Sequence, residues 1–498
     1  MNMKRLLITL ISLLAFSAGL FAKGETYSYD YWDDIEKSPD SYRVSHMVYA
    51  PDLGLETALK NPSSLFAIDN YLYVVDTDNN RIIKLEYTSK KTLELLEIID
   101  HVNPSPLLED NYFKGPKDIF VSDYDGSIYI ADTDNGRVIK TDKDLNVLMV
   151  LREPNDPTYD PSKSYFPTKV VADDKGRVYI LSKNVNKGFL KYEYDGTFAG
   201  YYGASKVIIS AAQRFWKKFS TEAQKARMQL FVPTEYSNCY IDNEGFIYAV
   251  THSFEEWDLL SGKASPIRRL NALGNDILVT LGYEYPIGDL QWGNAGGIKG
   301  PSWITDITVL DNEVYIALDE VYIALDETRG RLFAYNNQGY LLFAFGGKGN
   351  IDGFFRKPES IEHIGKDLFV LDSLNCSITV FTPTAYGNLI YQATEQFAVG
   401  EYDESAETWA KVLEYNGNYD LAYIGLGKSY LRQKKYKDAM VYFKLKRDRR
   451  DYSKAFKYYR KEWIEKNFAW LSAVIIILIL IPLIIRWVKR IKWEISTL

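Results

Sequence analysis

The sequence predicts a mainly β chain, a ring of small sheets, followed by a small α-helical domain and one transmembrane helix. Three observations predict it. A strand–turn–strand pattern recurs six times between about residues 59 and 382. After Thr382-Pro383 the apolar period changes from two to near 3.6. Close to the C-terminus stands an 18-residue run without a charge. Composition agrees. A chain of 498 residues is too long for one core. Apolar residues at 46% and charged residues at 25% exclude a largely disordered chain. The 39 Tyr favour half-buried strands. A net charge of −7 argues against nucleic acid as a partner. Two Cys cannot form a disulfide framework, and four His leave little material for a metal cluster.

The two ends place the chain at a membrane. Residues 1–22 read as a signal peptide: Lys4 and Arg5 precede the apolar run Leu6 to Leu20, with cleavage expected after Ala22. Phe468 to Ile485 has the length of a membrane span, and Trp463, Trp470 and Trp487 flank it. The span is assigned to 467–486 and a cytoplasmic tail to 487–498. Basic residues stand on both flanks, so the leader sets the orientation, with the body outside the cytoplasm. Cys239 and Cys376 fall in different repeats and are expected to be free and mostly buried.

Residues 51–383 hold the repeat, with 23–50 as a lead-in. Each copy opens near a Pro, at 62, 116, 167, 233, 301 and 358, spaced 51 to 68 residues apart. Asp125-Gly126, Lys175-Gly176 and Glu244-Gly245 supply the positive backbone angles of tight hairpins. Apolar residues alternate around them. A sheet of three or four strands cannot bury both faces alone, and stacking its neighbours in a closed ring buries every face. The sixth copy ends after its third strand, near Phe381. Tyr42 to Ala50 is the expected outer strand that closes the ring.

Gly115-Pro116, Asp125-Gly126, Tyr129-Ile130-Ala131-Asp132 and Asn135-Gly136-Arg137-Val138 resemble the NHL-repeat family of β-propellers. The resemblance implies a six-bladed β-propeller. Two features depart from it. VYIALDE occurs twice in succession, at Val314 to Glu320 and Val321 to Glu327, so the fifth blade is expected to bulge or extend a hairpin. An insertion at 204–230 has helical spacing, with Val207, Ala211, Phe215 and Phe219 on one face and Lys206, Arg214, Lys217 and Lys218 on another. It reads equally as a docking element or as a lid on the propeller.

Residues 384–466 form the helical domain. Tyr402 and Tyr436, Ser405 and Ala439, and Trp409 and Phe443 are each 34 residues apart. With Tyr423, Leu426, Gly427 and Tyr430 this resembles tetratricopeptide repeats, which implies protein or peptide docking. A stiff stalk is the competing reading.

Catalytic motifs do not emerge. DTDNN at 76–80 and DTDNG at 132–136 lack the spacing of calcium loops and read as turns. His46, His101, His252 and His363 share no repeat position, so no metal site and no cofactor is assigned. A ligand in the channel is expected to meet the residue two after each Pro, at the channel mouth: Ser64, Asp118, Lys169, Glu235, Trp303 and Ser360. Asp118, Glu235 and Trp303 together suit a sugar or a cation. The leading expectation is a non-enzymatic, membrane-anchored binding or scaffold protein. Its expected partner is a membrane-embedded or extracytoplasmic protein, such as a transport complex. A surface receptor for a glycan or small ligand is the alternative, and a metal-dependent propeller hydrolase or lyase is a third.

Overall fold

A computed structural model describes residues 26–30, 32, 35–160, 162, 164–204, 235–251, 259, 265–281, 287–289, 301–310 and 321–497. The expected signal peptide, the insertion after Ala204, the first VYIALDE copy, Pro233 and His252 lie outside the described residues. The chain divides into two compact units, one up to Tyr391 and one from Gln392.

The first unit is a six-bladed β-propeller. It begins with β1 (Tyr27–Tyr29), β2 (Ile35–Lys37) and β3 (Tyr42–Tyr49). Blade one is β4 (Ser64–Ile68), β5 (Tyr71–Asp76), β6 (Arg81–Tyr87) and β7 (Leu93–Ile99). Blade two is β8 (Pro116–Val121), β9 (Ile128–Asp132), β10 (Arg137–Thr141) and β11 (Val147–Leu151). Blade three is β12 (Pro167–Ala172), β13 (Val178–Ser182), β14 (Phe189–Tyr192) and β15 (Phe198–Tyr202). Blade four shows β16 (Asn238–Ile241), β17 (Ile247–Val250) and β18 (Ile267–Leu270). Blade five is β19 (Ile304–Leu310), β20 (Val321–Asp326), β21 (Arg331–Asn336) and β22 (Leu341–Gly346), widened by β1 and β2. Blade six is β23 (Pro358–Ile364), β24 (Asp367–Asp372) and β25 (Ser377–Pro383), and β3 supplies its fourth strand.

All pairs within the blades are antiparallel, as the short hairpins require. Gly126 and Gly176 adopt φ of 70° and 73° at their turns, the region open to Gly without cost. β3 runs antiparallel to β25 from Tyr42↔Pro383 to Tyr49↔Ser377, so the N-terminal strand joins the last blade. The innermost strands neighbour one another in the order β4, β8, β12, β16, β19, β23 and back to β4. The ring is therefore closed. Its core lies between blades. Leu65, Val74 and Ile83 of blade one pack with Phe369, Leu371 and Ile378 of blade six. Tyr73 and Ile82 of blade one pack with Ile119, Ile130 and Ile139 of blade two.

The second VYIALDE copy forms β20. Leu310 pairs with Val321, so residues 311–320 lie between two paired partners. The DTDN segments are short turns that hold the incoming chain. The Asp132 carboxylate accepts from the Lys114 N–H at 2.8 Å, Asn135 Nδ2 at 2.9 Å and Arg137 Nε at 2.7 Å. Asp76 does the same with Lys60, Asn79 and Arg81. Both carboxylates are fully buried, so these bonds replace the water they have lost. Cys239 and Cys376 are free thiols and half-buried.

The helices are α1 (Ala385–Val399), α2 (Tyr402–Tyr415), α3 (Asp420–Arg432), α4 (Tyr436–Leu445), α5 (Arg449–Lys466) and α6 (Phe468–Ser496). Within the second unit α2, α3, α4 and α5 each pack on the next. Small residues permit this. A Cβ on Gly425 would lie 2.4 Å from Trp409 Nε1, and one on Gly427 would lie 2.6 Å from Phe443. Asn467 alone separates α5 from α6. α6 is long and apolar enough to cross a membrane, and none of its apolar stretch is buried.

Candidate functional site: the channel cavity

The inner strands bring one side chain per blade to a common level. Register identifies them. Pro116 faces Asp132 and Asp118 faces Ala131, while Pro358 faces Asp372 and Ser360 faces Leu371. In blade five the matching pairs are Ile304 with Asp326 and Asp306 with Leu325. In blade four Asn238 faces Val250. The belt is thus Ser64, Asp118, Lys169, Asn238, Asp306 and Ser360. Four of these are sequence-predicted. Glu235 and Trp303 lie three residues before the belt in their blades, and both are exposed. The spacing from Pro misplaced them because the inner strand starts at the Pro or two residues after it in blades one, two, three and six, but only at Asn238 in blade four and at Ile304 in blade five. Asp306 was legible by another route. It falls at the expected distance before Asp326 once one VYIALDE copy is discounted.

The belt is buried, and its members in blades one, two, three, five and six are bonded to one another. Ser64 Oγ donates to Asp118 Oδ1 at 2.7 Å. Lys169 Nζ donates to Ser64 Oγ at 2.9 Å and to Asp118 Oδ1 at 3.2 Å. Asp118 Oδ2 accepts the Val170 N–H of the next blade at 2.9 Å. On the other side Ser360 Oγ donates to Asp306 Oδ2 at 2.6 Å, and that oxygen also accepts the Ile361 N–H at 2.8 Å. Ser360 Oγ accepts the Leu65 N–H at 3.0 Å. A side chain on one blade thereby binds the backbone of the next.

A cavity of about 510 Å³ extends from this belt along the inner strands. The exposed residues in its wall, Asp123, Tyr124, Asp174, Asn243 and Glu244, all lie in the hairpins that follow the inner strands. The cavity therefore opens at the hairpin end, and the belt is its floor. Among the described residues of the wall Lys169 is the one cationic residue, against eight carboxylic ones. Burial works against the Lys169 charge, yet Asp118 and Asp306 hold its ammonium above the ordinary range. Burial pushes Asp306 up to about 6, against the pull of Lys169 and three hydrogen bonds. Burial, with Asp306 nearby, drives Glu362 well above the usual carboxylate range. Burial lowers His363 to about 4, and its Nδ1 sits 2.8 Å from Thr308 Oγ1. Among the described residues no three His, Cys, Asp or Glu side chains converge as a metal site would require.

Neither a protein-family model nor a curated protein matches the chain. Solved structures do resemble it. One, from Bacteroides fragilis and provisionally named an exported protein, is 13% identical with a TM-score of 0.39, over 70% of this chain and 98% of that one. An auxiliary nutrient binding protein from Bacteroides thetaiotaomicron is 11% identical with a TM-score of 0.39, over 72% of this chain and 76% of its own.

Proposed function

We propose that this chain is a non-enzymatic, membrane-anchored scaffold that docks a membrane-embedded or extracytoplasmic protein, such as a transport complex. The observation that carries the reading is α6. Its 29 residues make a rod of about 44 Å at 1.5 Å per residue, longer than the hydrocarbon core of a bilayer. Its apolar stretch has a mean hydropathy of 3.0, and Trp470 and Trp487 flank it. The leader residues Lys4 and Arg5 support an extracytoplasmic body. Five of the six belt side chains, all but Asn238, are engaged with one another, which supports binding over catalysis.

The helical unit offers the docking face. Val441 and Leu445, one turn apart on α4, are 64% and 59% exposed. Exposed apolar pairs of this kind mark contact surfaces when they cluster. Phe456 and Tyr458 of α5 are also exposed. The test places a photo-crosslinking residue at 441 or 445 in native membranes. A discrete adduct with a membrane protein, lost on Leu445→Asp, is expected. No adduct, or release of the intact chain from membranes by alkaline carbonate, would overturn the reading.

A further inference from the structure

One carboxyl in the cavity has no evident part in the fold. Register puts Glu362 level with Phe66, Phe120, Val171, Tyr240 and Thr308 of the other blades. A Glu thus stands where most blades place an aromatic or aliphatic residue. It is 7% exposed and forms no ion pair among the described residues. The Thr308 hydroxyl reaches it only at 3.4 Å and lies closer to His363. The His363 N–H is its other hydrogen-bond donor. Lys169 is already committed to Asp118 and Ser64. Lys169, the ammonium that acts on Glu362, is shared with Asp118 and Asp306 and forms no ion pair with it among the described residues, so this carboxyl gains from a further cation that reaches it.

The cavity also carries negative charge at its mouth. Asp123 and Asp174 are exposed there and form no ion pair among the described residues. Between the two levels the wall carries Val121 and Ala172 at the ends of their strands, with the Asp173 and Asp242 carboxylates beside them already paired with Arg177 and Arg269. Three residues of chain separate the levels, of which only the first lies in a strand, a span of at most about 10 Å. Near the floor Asn238 is 4% exposed; its side-chain carbonyl accepts the Cys239 N–H, and its amide nitrogen has no hydrogen-bond partner among the described residues. The cavity is within the size range of small-molecule sites.

We propose that the cavity binds a linear organic diamine or polyamine, with one ammonium against Glu362 at the deep end and another against Asp123 and Asp174 at the mouth. The hydrocarbon spacer of such a ligand would pass Val121 and Ala172. A neutral sugar brings no further cation to Glu362, and an anion meets repulsion at both levels. This site is separate from the α4 docking face, so its failure leaves the scaffold reading standing.

The test is calorimetric titration of the full chain in mild detergent with spermidine, butylamine and the neutral butanediol. Spermidine is expected to bind, butylamine more weakly and butanediol not at all. Glu362→Gln is expected to weaken spermidine roughly tenfold or more, the size of one lost charge-assisted hydrogen bond. Circular dichroism checks that this variant folds. The paired change Asp123→Asn and Asp174→Asn, in exposed turns, is expected to narrow the gap between spermidine and butylamine. That pair decides the matter should Glu362→Gln fail to fold. Absence of spermidine binding at millimolar concentration, equal binding of butanediol, or full affinity in the variants would overturn the proposal.

Discussion

Ser360 in the last blade accepts the main-chain N–H of Leu65 in the first, at 3.0 Å and across 295 residues of chain. The same hydroxyl donates to Asp306 in blade five. One side chain therefore links three consecutive blades where the chain's two ends of the ring meet. The β3–β25 pairing joins the same two ends through backbone bonds, in the same blade. A circle of small sheets has no edge, and its weakest point is where sequence neighbours stop being spatial neighbours.

Ser360→Ala tests that seam. The change strands the buried Leu65 N–H and removes one donor from Asp306. A buried donor left unpaired costs about 1–3 kcal/mol. The loss is read as a lower urea midpoint for the propeller at constant slope. Ser360→Thr keeps the hydroxyl, and the β-branched side chain suits a strand, so most of the loss should be recovered. Equal midpoints for the alanine variant and the parent would show that the hydroxyl does not hold the seam.

Much of this fold was legible because repetition multiplies weak signals. One Asp-Gly is a common dipeptide, whereas recurring Pro, hairpin and Asp-Asn turns at similar spacing require a stacked architecture. The sixth copy stops one strand short, which points to Tyr42–Tyr49 as its complement. The belt was half legible. In blades one, two, three and six the inner strand starts at or just after the Pro, so counting from it reaches Ser64, Asp118, Lys169 and Ser360. In blades four and five the strand starts later; the distance back from Asp326 reaches Asp306 once one VYIALDE copy is discounted, and only backbone register reveals Asn238. Glu362 carried a signal that counting from Pro passes over: a lone acid in a slot filled elsewhere by Phe66, Phe120 and Tyr240. The opening of the cavity at the hairpin end was not legible, since no local pattern says which end of a ring is plugged.

The acid–base groups around the belt predict a pH dependence of stability. Asp306 sits at about 6 in the folded chain against an ordinary 3.8. Between those values the folded chain holds a proton that the unfolded chain has released, so stability falls as pH rises through the window. Glu362 is shifted the same way by burial and by Asp306. His363 acts in the opposite sense. Burial takes it from 6.5 down to about 4, so there the unfolded chain binds the extra proton and stability rises with pH. Lys169 faces both carboxyls and moderates their shifts. The two carboxyls together outweigh the imidazole between about pH 4.5 and 6, where a net fall results. His363→Gln should steepen that fall and Glu362→Gln should flatten it, measured as urea midpoints across the window. Parallel pH profiles for the parent and both variants would refute this assignment.

In the helical unit the decisive contacts are glycines under aromatic rings. Trp409 is 3% exposed and Phe443 is fully buried, so neither ring has room to withdraw from a new methyl group. Gly425→Ala would place that methyl 2.4 Å from the indole nitrogen, and Gly427→Ala would place it 2.6 Å from the phenyl ring. Alanine is the better helix former by about 1 kcal/mol. Overpacking of a filled core costs about 1–3 kcal/mol, which outweighs that gain. Gly417 supplies the control. It lies between α2 and α3, and the nearest atom to its added Cβ is 3.9 Å away. Gly417→Ala should therefore stay within about 0.5 kcal/mol of the parent. Thermal melts followed by helical circular dichroism on the full chain compare the three. If the 425 and 427 variants melt with the control, the aromatic–glycine contacts do not set the spacing of α2, α3 and α4. The docking face on α4 would then have to be held by other contacts.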